Sequence, residues 1–252
     1  MKLYDYIKNF FIKKKKVDIK KLPSQGFFYE DDFQLYIKKA SEKDIEYYKD
    51  GFIPTDLGII LNKIKNVVVN NVISNYDFDY IRSIDMIFIF FEIVKFTKNK
   101  SYDIVYFDIN GNKKSIEFSS KYFNYFDFDQ YRNNWNKEDR CFDINGYKYT
   151  LPSISVENCL TDFLQYKTIE GDPEKWNKYN YDFIYFLGKR DFLTFDEIEN
   201  LIQIFNYDLS EEESEKVVNI IKSFRKLQRY TLIDNGFEVD LSTRVNLGEV
   251  WN

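Results

Sequence analysis

Two Asp-Phe-Asp triplets, Asp77/Asp79 and Asp127/Asp129, place paired carboxylates two residues apart. On a loop such a pair can share a divalent cation, which is the simplest metal-dependent chemistry open to this chain. Among 41 acidic residues such pairs arise by chance, and Asp77 also stands where a helix wants its cap. Asp108 and Glu117 lie on the two sides of an expected hairpin, but the residue two beyond Glu117 is Ser119, not the lysine of the common metal-nuclease pattern. "DINGN" (108–112) puts glycine fourth and glutamate (Glu117) tenth, out of register with a calcium loop, which needs them sixth and twelfth. Asn110 and Gly111 are therefore turn residues. Cys141 could act as a nucleophile only beside a group that favours its thiolate. Arg140 is the candidate, and a small buried hydrophobe is the competing role. The chain has no histidine, which excludes classical triads, His-ligated zinc and imidazole acid–base catalysis. Neither GxxxxGK[ST] nor GxGxxG occurs. The residues predict no catalytic group, no cofactor and no metal.

Composition narrows the class. With 44% hydrophobic and 19% aromatic residues the 252-residue chain folds, into one sizeable core or two modest ones. Abundant Lys, Asn, Ile, Phe and Tyr beside scarce Ala, Gly and Pro matches an AT-rich codon bias. A net charge of −5 and a pI near 5.1 argue against a sequence-independent grip on nucleic acid. Two cysteines, Cys141 and Cys159, form no disulfide framework and no metal spacing, so a reducing interior is expected. Residues 1–12 lack the pattern of a signal peptide. The most apolar run, "SIDMIFIFFEIVKF" (83–96), is interrupted by Asp85, Glu92 and Lys95, and reads as a buried helix with no stable membrane span.

These residues must be positioned by an alternation of helices and hairpins. "LYDYIKNFFI" (3–12) suits a short amphipathic helix, ended by the mutually repelling Lys13 to Lys16. The arm, with Leu3, Tyr4, Tyr6, Phe10, Phe11, Lys13, Lys14, Lys15 and Lys16, is expected to dock on a neighbouring subunit or stay mobile; membrane-surface binding is the alternative. "FQLYIKK" (33–39) alternates as a strand. Ser41 and Asp44 cap a helix over 42–50, and Thr55 caps another over 56–73. Residues 77–96 continue the helical pattern. Asn110-Gly111, Asn145-Gly146 and Asn235-Gly236 predict hairpins over 102–119, 140–152 and the tail. The polar-aromatic segment 121–139 is expected to be irregular and to offer Tyr122, Phe123, Tyr125, Phe126, Tyr131 and Trp135 as contacts. Ser155 heads a helix over 156–167, residues 181–188 end on Gly188, and capping boxes Thr194/Glu197 and Ser210/Glu213 open helices over 195–205 and 211–230. The fold expected is α+β: an N-terminal arm (1–21), an α+β lobe with hairpins (22–152) and a mainly helical lobe (153–252).

"LPSQGFFYEDDFQLYIKKASEKDIEYY" (22–48) resembles the opening of hub and hub-assembly proteins of the baseplate in T4-like contractile-tailed bacteriophages: Leu-Pro-Ser-x-Gly, aromatics, a strand, an acidic helix. "IRSIDMIFIFFEIVKFTKNKSYDIVYFD" (81–108) is similar to that pattern's long apolar helix and hairpin, and the likeness spans roughly residues 22–165. Some members carry cysteine pairs at the hairpin turn where this chain has Asn110-Gly111, so a zinc ribbon is not implied. The resemblance implies a non-enzymatic structural or assembly protein of the virion's tail baseplate, built in the host cytoplasm. Its partners would be other baseplate or tail proteins, with self-association in the assembly as one form. Pro23 and Gly26 would shape a turn that brings the arm onto the body, with Phe27, Phe28 and Tyr29 packing it down. Two readings from other classes remain: a divalent-metal enzyme using Asp127 and Asp129, and a host-directed inhibitory binding protein.

Overall fold

The computed structural model describes residues 13–50, 57–101, 103–108, 110–119, 129–169, 184, 186–187, 194–227, 231–234, 237–240 and 250–251. The fold is α+β, with small antiparallel sheets set among helices. β1 (Lys14–Lys16), β2 (Leu35–Lys38) and β3 (Val72–Ser74) form one sheet in the order β1-β2-β3. β2 alternates buried and half-buried positions, as its sequence predicts.

The Lys13–Lys16 run departs from its expected role. Lys14 to Lys16 form a strand on this chain's own sheet, with Lys15 bonded to Glu92 at 2.7 Å and the Lys14 ammonium 4.7 Å over the Tyr36 ring. Extended backbone separates neighbouring like charges onto opposite faces, which a helix would not do. Leu3, Tyr4, Tyr6, Phe10 and Phe11 lie outside the described residues.

α1 (Glu42–Lys49) opens with the expected cap, and the Asp44 carboxylate also returns a bond to the Ser41 N–H. α2 (Leu57–Asn71) stops short of the expected residue 73. The β-branched Val72 and Ile73 instead pair with Ile37 and Tyr36 on the free edge of β2. Residues 77–82 are not the start of the long helix. Phe78–Tyr80 make one 3₁₀ turn with no side-chain cap from Asp77, and Ile81 and Arg82 are extended. This stretch pairs with the chain at 152–154: Ser83 N–H donates to the Pro152 carbonyl at 3.0 Å, and Ile154 N–H to that of Ile81 at 2.9 Å. α3 (Ser83–Lys98) then runs through the core, buried from Ser83 through Phe91 and again at Ile93 and Val94. Each fully buried Ile or Phe contributes about 1.5–3 kcal/mol.

β4 (Asp103–Phe107) and β5 (Lys113–Glu117) make the first hairpin, but its loop is wider than a two-residue Asn-Gly turn. Phe107 pairs with Lys113 across the 108–112 loop, and Gly111 takes φ +80° there. Asp108 organises that loop by accepting the backbone N–H groups of Asn110 and Asn112. At the second hairpin the expectation holds: β7 (Cys141–Ile144) and β8 (Tyr147–Tyr149) are joined by Asn145 at φ +54° and Gly146 at φ +84°. A 3₁₀ turn (Asp129–Asn134) leads into β6 (Trp135–Asn136), which adds to β7.

α4 (Ile154–Ile169) begins one residue after Ser153, whose hydroxyl accepts from Val156 N–H at 3.3 Å, so Ser153 and not Ser155 is its cap. α5 (Phe195–Gln203) and α6 (Glu211–Leu227) start at the two expected capping boxes, and a π-helical turn (Ile204–Asp208) carries the chain from α5 toward α6. β9 (Thr231–Asp234) and β10 (Phe237–Asp240) form the expected tail hairpin. Of 181–188, Ile184 and Phe186 are helical and buried, and Leu187 bridges Tyr149.

Two hydrophobic cores result. The first collects β2, α2, α3, β4 and Trp251; the second collects β7, β8, α4, α5 and α6. The second hairpin thus packs with the C-terminal helices, while Phe28 and Ile84 reach into the second core and Ile154 and Trp251 into the first.

Candidate functional site

The segment 22–32 lies where the two cores meet. Leu22 and Tyr29 are buried in the first core, Phe28 in the second, and Phe27 is 38% exposed between them. Three consecutive aromatics therefore face three surroundings. That requires sharp reversals of the backbone, which Gln25 (φ +55°) and Gly26 (φ +76°) provide in the left-handed region. A Cβ on Gly26 would lie 3.2 Å from Ile19 Cγ1 and 3.3 Å from its carbonyl oxygen, so glycine is needed for space as well as for φ.

A buried carboxylate fixes the turn. Asp85, in the first turn of α3, accepts Ser24 N–H at 2.8 Å, Ser24 Oγ–H at 2.6 Å and Tyr29 Oη–H at 2.7 Å. Tyr29 Oη in turn accepts Arg82 N–H at 3.0 Å, and Arg82 donates to the Leu151 carbonyl at 3.3 Å. Burial pushes the Asp85 carboxyl up to about 6, against the bonds from Ser24 and Tyr29 and the charge of Arg82. Burial, then the Asp85 charge, raises the Tyr29 phenol well above its ordinary value.

The outer side of this turn is one wall of an open groove of about 580 Å³, lined by Ile19, Lys20, Gly26, Phe27, Tyr29 and Trp135 among others. Phe27 and Phe28 both meet Trp135 edge to face, at 5.8 and 5.4 Å between ring centres. The opposite rim is held by Arg140, only 11% exposed, which donates to Glu30 at 3.2 Å and Asp31 at 3.1 Å. Its hydrogen bond, and then the charge of Lys137, hold the Asp31 carboxyl below its ordinary range. Aromatic edges beside paired charges on a fixed backbone suit a peptide segment, and this groove offers no activated nucleophile.

Of the expected contact residues, Gly26, Phe27, Tyr29 and Trp135 come together here, separated by more than a hundred residues of chain. Pro23, Phe28, Tyr29 and Tyr131 are buried in this chain's own packing. Tyr29 shares the first core with Val17 and Ile19 of the arm, while Phe28 reaches into the second core. Tyr122, Phe123, Tyr125 and Phe126 lie outside the described residues, as does Asp127. Asp129 is bonded to Arg132 at 2.6 Å on the surface. Among the described residues no group of three or more His, Cys, Asp or Glu side chains could hold a metal ion. Also among them, no helix is long and apolar enough to cross a membrane. Cys141 is 1% exposed on β7, in the role of a small buried hydrophobe.

Sequence reasoning named Asp85 only as a break in an apolar run and Arg140 only as a neighbour of Cys141, and it passed over Glu30 and Lys20. Asp85 had a signal: a lone acid inside "SIDMIFIFF" must find buried donors, and Ser24 and Tyr29 of the opening motif are such donors. Comparison of the chain with protein-family models, curated proteins and solved structures gave no match.

Proposed function

We propose that the chain is a non-enzymatic structural or assembly protein of a contractile phage tail baseplate, in its hub region, acting through protein contacts. One observation carries the reading: residues 22–32, which open the first of the two stretches that carry the resemblance, are held by bonds from Ser24 and Tyr29 to Asp85 and present Phe27 in a groove with Trp135. A backbone fixed in this way loses little entropy when a partner docks, which is what a subunit interface needs. The partners would be other baseplate or tail proteins, and the finished location the virion.

Quantitative mass spectrometry of gradient-purified particles beside the crude lysate of the same infection tests it. Fixed stoichiometry in particles supports a resident hub subunit. Presence in the lysate together with co-sedimentation on hub intermediates supports an assembly factor. Absence from both particles and intermediates overturns the reading.

A further inference from the structure

Charge is sharply divided on this molecule. Residues 13–17, 36–40 and 93–101 carry nine lysines and no acidic residue, and one of the nine, Lys15, is paired with Glu92 just before the last segment. The fold brings these segments together at one end of the first core, with Lys14, Lys16 and Lys38 on one side of the β1–β2 pair and Lys15 on the other. Lys14 lies directly opposite Lys38 in the β1–β2 ladder, and the Lys39 ammonium is 6.0 Å from the Phe96 ring. Ala40 N–H donates to Thr97 Oγ1 at 2.9 Å, which sets Lys39 beside the end of α3 that bears Lys95 and Lys98. Burial, and then the charges of Lys100 and Lys49, lower the Lys98 ammonium below its ordinary value. Lysines facing each other across a strand pair destabilise the sheet, so the fold gives up some stability to present this face.

Taking those nine positive charges out of the net −5 leaves −14 on the rest of the chain. Much of it is concentrated in residues 194–215, which carry eight acidic residues and no basic one; two of the eight are paired from outside the segment, Glu199 by Lys167 and Glu212 by Lys216. Asp196, Asp208, Glu211, Glu212, Glu213 and Glu215 are exposed there, around α5, the π turn and the start of α6. In their midst Tyr207 is 78% exposed, the most open of the large hydrophobics on the described surface. An exposed ring inside a charged surface is the usual anchor of a docking patch.

We propose that the lysine face of one molecule docks on the acidic 194–215 surface of a second copy, giving head-to-tail association. The two surfaces differ, so the contact is heterologous and closes into a ring or continues as a filament. A nucleic acid fits the lysine face less well. The face contains no arginine for bidentate phosphate contact, and the rings of Tyr36, Phe96 and Phe118 are already covered by Lys14, Lys39 and Lys95 and not open to bases. The inference does not rest on the baseplate reading and is tested on the purified protein alone.

Sedimentation velocity over a range of concentrations at low salt is the experiment, repeated at about 0.5 M salt, where charges more than a few Å apart are screened. The expected result is a mass that rises with concentration at low salt and falls to the monomer at high salt. Lys39→Glu/Lys100→Glu and Asp208→Lys/Glu215→Lys are each expected to be monomeric alone and to associate when mixed, because each restores the other's lost complement. Unchanged thermal melts show that the variants fold. Monomer under all conditions overturns the proposal. So does association that persists in either variant alone, or a lysine face that binds double-stranded DNA while the protein by itself stays monomeric.

Discussion

Asp85 gives the sharpest test of how the 22–32 turn is held. Its carboxyl is raised from 3.8 to about 6 by burial, so the folded chain binds this proton more tightly than the unfolded chain. Stability from this group is therefore complete below about pH 4 and is lost as pH rises through about 6. Each pH unit of that interval is worth about 1.4 kcal/mol, which makes the full loss about 3 kcal/mol. Asp85→Asn removes the ionisation and keeps the shape, since its amide can donate to Ser24 Oγ and Tyr29 Oη. Urea unfolding of both proteins from pH 4.5 to 8 isolates the effect, because every other carboxylate is common to the two. The Asp108 carboxyl, held at about 2 first by the Asn112 backbone N–H, titrates below this window. The wild type is expected to lose stability relative to the variant by most of that 3 kcal/mol between the two ends. Parallel curves, or a wild type that gains on the variant as pH rises, would refute the argument that a desolvated carboxylate fixes the turn.

Other substitutions separate packing from conformation. Gly26→Ala should cost more than Gly146→Ala, because both glycines have positive φ but only Gly26 lies against another residue; about 1 kcal/mol is expected at Gly146 and more at Gly26, read by chemical denaturation. Asp44→Ala removes the acceptor for Ser41, Asn70 and Asn71 at once and should cost about 2–3 kcal/mol, against about 1 kcal/mol for Thr194→Ala at a cap with one partner. Arg140→Met should expose the groove's rim without unfolding the chain, seen as a changed Trp135 environment in a variant whose other tryptophans are replaced by phenylalanine.

Much of the fold was legible because its signals are local. The caps at Ser41, Thr194 and Ser210 and the turn at Asn145-Gly146 need only a few consecutive residues, and each stands where the sequence puts it. The misreadings share one cause, which is that a distant partner decided the outcome. Val72 and Ile73 continue a helical spacing until β2 offers an edge, and Lys14 to Lys16 look like repelling charges until Glu92 and Tyr36 receive two of them. The candidate site was half legible. Phe27 and Trp135 stood out as aromatics needing cover, but Asp85 and Arg140 gain meaning only from partners 61 and 110 residues away.

Those separations also bear on synthesis. Ser24 leaves the ribosome long before Asp85, and Glu30 waits 110 residues for Arg140. At roughly 5–20 residues per second, Glu30 is without its partner for about 5–20 s. During that interval Phe27, Phe28 and Tyr29 form an uncovered aromatic run on a nascent chain, a ready site for chaperones and for premature sticking. The first core includes Trp251, so the chain cannot seal it until the second has been made.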